Sequence, residues 1–281
     1  MRCEFWPWGA VPSLQRLSGF PEIDAPLFHG ARVEMASTVI LGATGTIGTA
    51  LARRLVAEGV NVLLAGRDEA KLSALAEELS QPFVEIDFST SRGVEDALQA
   101  HFEQCGGYAG LANCIGSLLL KPAHSTTDDE FREVIETNLF TAFAAVRAAG
   151  RLLRERGGSI VLFASAAAEL GIPNHEAIAA AKGGIIGLAR SAAATYAPYN
   201  LRVNVISPGL VRTQLTQRIW ESTASAKNSA DLHALGRLGD PAHVASLAAW
   251  LLDPANDWIT GQVIGLDGGL SRVQPRRKSA T

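Results

Sequence analysis

Cysteine and runs of like charge are both scarce in this chain. Three of its 281 residues are cysteines, Cys3, Cys105 and Cys114, and their spacing matches no metal-binding motif. A small, odd set of this kind is typical of reduced thiols, so we expect a cytoplasmic protein that holds no metal. The net charge is -3, with no long run of one sign, which favours neither nucleic acid nor an anionic membrane as a partner.

Long apolar runs are absent as well. No stretch of the sequence is long enough to span a bilayer, so no membrane-spanning helix is predicted. Residues 1–34 are broken by prolines and scattered charges and lack the continuous apolar segment of a signal peptide. We expect them to be a loosely ordered extension, or translation to start at Met35. Residues 272–281 are expected to form a solvated basic tail.

Apolar residues are plentiful, at 47% of the chain, which is enough for a sizeable core. Strands are predicted at residues 38–41, 60–65, 83–86, 109–113, 159–164, 201–206 and 262–266. Amphipathic helices are predicted between them, at residues 47–57, 69–79, 93–102, 128–153, 175–197 and 241–252. This alternation predicts one α/β domain over residues 35–271, a doubly wound (Rossmann) parallel sheet with helices on both faces.

A glycine-rich loop follows the first predicted strand and opens the next helix. It consists of Gly42, Ala43, Thr44, Gly45, Thr46, Ile47 and Gly48. Glycines in this position let the backbone approach a pyrophosphate, which the positive end of the helix dipole stabilises. The strand–loop–helix context predicts a dinucleotide-binding loop, and the alternative is a tight turn without a ligand.

Arg67 lies just after the second predicted strand, where an acidic residue would bind a free ribose hydroxyl. A guanidinium pairs instead with a 2′-phosphate, so NADP(H) is favoured over NAD(H). The alternative is that Arg67 is a solvated loop charge.

The ends of the next two strands carry further candidates for cofactor binding. Asp87, followed by Phe88, ends the third strand and supplies an acceptor for an adenine amine, or else a helix cap. Asn113 and Gly116 end the fourth strand, on the side of the sheet where ligands bind.

Ser165 ends the fifth predicted strand, and Lys182 lies in a helix of small residues. Behind a dinucleotide-binding half, this pair suggests hydride transfer to or from a substrate. The alternatives are a strand-end hydroxyl that satisfies the backbone and a lysine that snorkels to solvent.

From about residue 37 to 269 the chain resembles the short-chain dehydrogenase/reductase family. The matching pieces are the loop at Gly42, Arg67 in AGR, Asp87, Asn113 in NCIG, Asn138 in TNLF, Ser165, Lys182, PGLVRT at residues 208–213 and ITGQVIGLDGG at residues 259–269. The resemblance implies a seven-stranded single-domain fold, NAD(P)(H) binding and a homo-oligomer, either a tetramer or a dimer. It also implies that Pro208, Gly209 and Thr213 contact the cofactor.

The resemblance further implies a catalytic set, of which one member is missing. Ser165 would fix the substrate oxygen, Lys182 would hold the nicotinamide ribose, and Asn138 would support a water relay. The tyrosine that donates the proton in this family is replaced by Ile178, four residues before Lys182. Loss of a general acid costs about 10²–10⁴ in rate.

His175 is the candidate substitute. It follows Ile172, Pro173 and Asn174 and stands seven residues before Lys182. In the related enoyl-acyl-carrier reductases, this is the position of the tyrosine. Imidazole donates protons near neutral pH, so His175 is a hypothetical donor; the alternative is a solvated residue at the helix N-terminus.

By the same resemblance, residues 214–236 form a lid over an apolar small-molecule substrate; the alternative is an ordinary surface helix. The predicted function is that of an NADP(H)-dependent oxidoreductase that transfers hydride to or from a carbonyl or conjugated enoyl group with an atypical donor. The alternative is a non-catalytic NADP-binding protein that acts as a sensor or subunit.

Overall fold

The computed structural model describes residues 36–274. The predictions made for residues 1–34 and for the tail beyond residue 274 lie outside this range. None of the helices between residues 36 and 274 is both long and apolar enough to cross a membrane.

A seven-stranded parallel sheet forms the centre of the fold, as predicted. The strands are β1 Ser37–Leu41, β2 Val62–Gly66, β3 Phe83–Glu85, β4 Tyr108–Asn113, β5 Gly158–Phe163, β6 Leu201–Pro208 and β7 Val263–Leu266. Their order across the sheet is β3-β2-β1-β4-β5-β6-β7. The winding reverses direction between β1 and β4, and in doubly wound folds this is where ligands bind.

The helices cover both faces of the sheet. They are α1 Thr46–Ala57, α2 Glu69–Leu79, α3 Ser91–Phe102, α4 Asp128–Ile135, α5 Thr141–Leu152, α6 Glu176–Tyr196, α7 Gln217–Trp220, α8 Thr223–Leu232 and α9 Pro241–Leu252. Both α2 and α9 begin and end at the predicted residues. At their N-termini, side-chain oxygens of Asp68 and Asp240 accept hydrogen bonds from backbone amides of the first turn.

The core has two layers, one on each face. Val39 and Leu41 pack into the layer under α3, α5 and α6, whereas Ile40 packs into the layer under α1, α2 and α9. Successive side chains of a strand point to opposite faces, so a strand buried on both faces is apolar throughout. This is why the strands could be recognised as continuous Val, Ile and Leu runs.

The prediction of a single helix over residues 128–153 is wrong. Residues Glu136–Phe140 form a π-helix between α4 and α5. Within it, the Asn138 amide donates to the Val134 carbonyl, and the Thr141 hydroxyl donates to the Thr137 carbonyl. Side chains that bond to helix carbonyls compete with the regular ladder, and π-turns commonly occur at functional sites.

Candidate functional site

A cavity of about 430 Å³ opens at the carboxyl ends of the central strands. The residues that line it include Gly45, Thr46, Ile47, Cys114, Ile115, Gly116, Ser117, Leu118, Phe163, Ala164, Ser165, Ile178, Lys182, Pro208, Gly209, Val211, Thr213, Gln214, Leu215 and Thr216. The structure therefore brings together three residues of the glycine loop, the Ser165–Lys182 pair and the segment after β6.

The glycine loop forms a cradle that fits a pyrophosphate. Gly42 adopts a φ of +77°, which side-chain-bearing residues rarely adopt, and a Cβ on Gly48 would lie 2.3 Å from the Gly42 carbonyl oxygen. Gly45 caps α1 without a side chain, and the first turn of α1 contains no acidic residue. The leading amides of α1 and its positive dipole therefore face the cavity mouth unopposed, as an anionic dinucleotide requires. Thr44 is half-buried in this loop and does not line the cavity.

Arg67 and Asp87 lie beyond the same edge of the sheet, and both are exposed. Hydrogen bonds from the Ser89 hydroxyl and amide, with a smaller contribution from the Arg67 charge, lower the pKa of Asp87. Within residues 36–274, Arg67 makes no ion pair closer than 4 Å, so its guanidinium is available to a phosphate. The Phe88 side chain is instead buried in the core layer under α3, α5 and α6.

Lys182 is buried and lacks a carboxylate partner in the described part of the chain. Its Nζ donates a 2.9 Å hydrogen bond to the Phe163 carbonyl at the end of β5. Burial lowers the pKa of Lys182 to about 8. Ser165 lies two residues past Phe163, and its Oγ accepts a hydrogen bond from the Ala167 amide at 3.2 Å. Both residues therefore line the cavity at the carboxyl end of β5.

Ile178 forms an apolar wall of this cavity. It is 3% exposed and packs with Val134, Ala177 and Ala181. The hydrocarbon side chain of Ile178 therefore offers neither a proton donor nor an acceptor to this wall. The tyrosines that the structure describes offer no replacement. Tyr108 donates to the Leu98 carbonyl, Tyr196 packs against Gly150, and Tyr199 lies under Arg154 at the surface.

His175 is the residue that precedes α6 at its N-terminus, and it does not line the cavity. Its Nδ1 lies 2.7 Å from the Pro173 carbonyl oxygen, which can only accept, so Nδ1 carries the proton of this hydrogen bond. The structure therefore places this predicted donor outside the group formed by Ser165 and Lys182.

Asn138 is fully buried beside the cavity. Its Oδ1 accepts from the Ser117 amide at 3.2 Å, and its Nδ2 donates to the Ser117 hydroxyl at 2.9 Å. A Cβ added at Gly116 would lie 3.1 Å from Asn138 Oδ1 and 3.5 Å from Lys182 Nζ, so the glycine keeps this corner open. Asn113 is buried one layer deeper, with its amide 3.4 Å from the Thr141 hydroxyl.

Sequence reasoning missed Ser117, which belongs to no motif. The available signal was a lone hydroxyl between Gly116 and the apolar run Leu118, Leu119 and Leu120. Cys114 lines the cavity as an inert thiol, because burial raises its pKa to about 12.

Two contacts fix the segments around the cavity. The Gln214 amide donates to the Thr46 hydroxyl, which joins the start of the predicted lid to the glycine loop. On the far side, Arg272 forms an ion pair with Glu169 in the loop after Ser165.

Comparison with known proteins places this geometry in context. Residues 42–271 match a family model described as "Enoyl-(Acyl carrier protein) reductase". A 2,3-dihydroxy-2,3-dihydro-p-cumate dehydrogenase of Pseudomonas putida is 30% identical over 239 residues, covering 82% of this chain and 92% of the relative. A 2,5-dichloro-2,5-cyclohexadiene-1,4-diol dehydrogenase of Sphingobium indicum is 32% identical, covering 84% and 96%. A solved short-chain type dehydrogenase/reductase from Mycobacterium ulcerans superposes with a TM-score of 0.81 at 28% identity, covering 85% and 91%.

Proposed function

The chain belongs to the short-chain dehydrogenase/reductase family of oxidoreductases, and we propose that it transfers hydride between NADP(H) and a carbonyl or conjugated enoyl group without the usual tyrosine donor. One observation carries this proposal. A single cavity is lined on one side by the glycine loop and on another by Ser165 and Lys182.

The cofactor preference rests on charge. The N-terminus of α1 suits the pyrophosphate of either nicotinamide cofactor, whereas Arg67 suits only the additional 2′-phosphate of NADP(H). When bound, the cofactor supplies the hydride. Thr213 and the backbone of Pro208 and Gly209 would hold its nicotinamide half, since all three line the cavity.

The chain's own residues act on the substrate oxygen. The Ser165 Oγ accepts from the Ala167 amide, which leaves the hydroxyl proton free to donate to that oxygen. The buried Lys182 ammonium lowers the energy of negative charge that develops nearby. Ile178 supplies no proton, which favours a conjugated enoyl group, because an enolate oxygen needs stabilisation more than immediate protonation.

The test is NADPH and NADH binding, followed by NADPH oxidation against a panel of simple ketones and enoyl thioesters with apolar chains. We expect tighter binding of NADPH and faster turnover of at least one enoyl thioester. Tight NADPH binding with no turnover on any substrate would instead favour the alternative function, a cofactor-binding sensor or subunit, which Ile178 also suits.

Two variants test the atypical donor. His175→Ala should slow turnover if the imidazole reaches the substrate, and unchanged turnover removes His175 from the mechanism. Ile178→Tyr restores the family's acid one helical turn before Lys182. It should raise ketone reduction, and no gain would indicate that the rest of the site is not built for ketones.

A further inference from the structure

The Ser117 hydroxyl is held with its proton free. Asn138 Nδ2 donates to Ser117 Oγ at 2.9 Å, while Asn138 Oδ1 accepts from the Ser117 amide at 3.2 Å. The second Nδ2 hydrogen goes to the Val134 carbonyl at 2.9 Å, so the buried amide cannot flip without losing these bonds. In the described residues the Ser117 hydroxyl proton has no acceptor.

Ser165 is held in the same way on another wall of the cavity. Its Oγ accepts from the Ala167 amide at 3.2 Å, and its proton likewise has no acceptor within residues 36–274. A hydroxyl has one proton to donate. Besides Thr46 on the glycine loop, the cavity therefore contains two hydroxyl groups whose oxygens accept from fixed N–H groups and whose protons are available.

The remainder of the cavity wall near these hydroxyls is largely apolar. Leu118 follows Ser117 directly, Ile178 forms the adjacent wall, and Leu215 projects from the start of the predicted lid. One oxygen with two lone pairs, on a hydrocarbon body, would satisfy both hydroxyls and this wall. A carbonyl oxygen has this capacity, and it gains most from two donors when it becomes an enolate.

From this arrangement, which presupposes the proposed function, we infer that Ser117 and Ser165 together hold the oxygen of an apolar carbonyl or enoyl substrate. Ser117 thus takes over the oxygen-binding part of the missing tyrosine's role, and Asn138 is its positioning residue. Neither serine loses its proton, and the alkoxide or enolate left by hydride transfer takes its proton from water. Both donate hydrogen bonds that strengthen as negative charge develops on the oxygen.

The test uses the full chain loaded with NADP⁺ and 4-nitrophenol, whose phenolate oxygen imitates an enolate and whose absorbance reports its ionisation. Two hydroxyl donors lower the pKa of the bound phenol. In Ser117→Ala this pKa should rise by about half a unit to one unit relative to the wild type, and Ser117→Thr should restore it. Ser125→Ala is the matched control, because Ser125 follows the same strand but its hydroxyl donates to the Pro122 carbonyl outside the cavity.

Turnover gives a second reading. On the best substrate of the panel, Ser117→Ala should lower kcat about tenfold to a hundredfold with little change in KM, because the bond strengthens in the transition state. A purely structural role for Ser117 would lower the melting temperature without moving the pKa of the bound phenol.

The outcomes separate this inference from the proposed function. A shifted phenol pKa with no turnover in the wild type supports oxygen binding and removes the redox function. Normal turnover with an unchanged phenol pKa in Ser117→Ala overturns the inference alone. Failure of the NADP⁺-loaded wild type to take up the phenol also overturns it.

Discussion

At the scale of the residue, the proposed mechanism depends most on two side chains in one turn of α6. Ile178 and Lys182 are both buried in the cavity wall, one apolar and one basic. With no carboxylate or phenol beside it in the described structure, the ammonium is stabilised by little more than the Phe163 carbonyl. Burial of this ionisable group lowers the free energy of unfolding, and the size of that loss depends on pH.

Replacing Lys182 with methionine should recover the stability that burial of the charge removes. The pKa of Lys182 falls from 10.5 to about 8 in the folded chain, so below pH 8 both states are protonated and the folded state carries the full cost of burial. Between pH 8 and 10.5 the unfolded state binds more protons, so wild-type stability rises with pH. Without added cofactor, the excess stability of Lys182→Met over wild type should fall by about 2–3 kcal/mol across this window.

Urea unfolding at pH 7 and pH 10.5 measures that difference. Lys71→Met, at a lysine whose side chain is 71% exposed, controls for the loss of one charge. An equal difference at both pH values would mean that Lys182 is solvated in the folded chain.

Arg67 sets the second prediction at this scale. Charge-assisted hydrogen bonds to a phosphate contribute about 1.5–3 kcal/mol. Arg67→Ala should therefore reduce the preference for NADPH over NADH by about tenfold to a hundredfold, measured as the ratio of the two dissociation constants. Arg92→Ala, at an exposed arginine of α3, should leave the ratio unchanged. An unchanged ratio in Arg67→Ala would identify Arg67 as a solvated charge.

At the scale of the element, the sequence predicted the features that depend on residues close together in the chain, such as capped helix ends. The capped helices α2 and α9 began and ended as predicted, because Asp68 and Asp240 act within one turn. The π-helix at residues 136–140 was not predicted, since the apolar period continues through it. Asn138 within it bonds both to the Val134 carbonyl and to Ser117, a residue 21 positions earlier, and no local period contains the second bond.

The glycine loop and α1 provide the test at this scale. A Cβ at position 48 would lie 2.3 Å from the Gly42 carbonyl oxygen, a contact that the backbone must relieve by opening the turn. Gly48→Ala should weaken NADPH binding by at least about tenfold, because the cradle amides lose their common direction. Gly171→Ala serves as control, since a Cβ there meets nothing within 4 Å. NADPH titration of both variants measures this difference in affinity. Equal affinities would contradict the proposal that the loop binds the pyrophosphate.

At the scale of the molecule, the parallel doubly wound sheet was predictable because its five inner strands are buried on both faces. For the cavity, only its location at the carboxyl ends of the strands was predictable. Which side chains enter it depends on contacts between distant segments, such as the Gln214 amide that donates to the Thr46 hydroxyl. Ser165 and Lys182 were predicted together by motif. Ser117 could be recognised as a site residue only once the position of Asn138 in the fold was known.

Two exposed tryptophans offer a test of the predicted homo-oligomer. Trp258 is 96% exposed and Trp250 is 44% exposed, the first in the segment before the edge strand β7 and the second on α9. Burying such side chains between copies of the chain would contribute favourably to association. We expect Trp258→Glu to sediment as a smaller species than the wild type, and Tyr199→Glu to sediment unchanged. Equal sedimentation of wild type and Trp258→Glu would exclude this surface as the interface.

The ion pair between Arg272 and Glu169 has a practical consequence for anyone handling the protein. It fastens the segment beyond β7 to the loop that follows Ser165, so a disturbance at Arg272 reaches that loop. A tag attached close to Arg272 would therefore alter the surroundings of Ser165 as well as mark the protein. Samples tagged at opposite termini should therefore be compared before a low activity is blamed on Ile178.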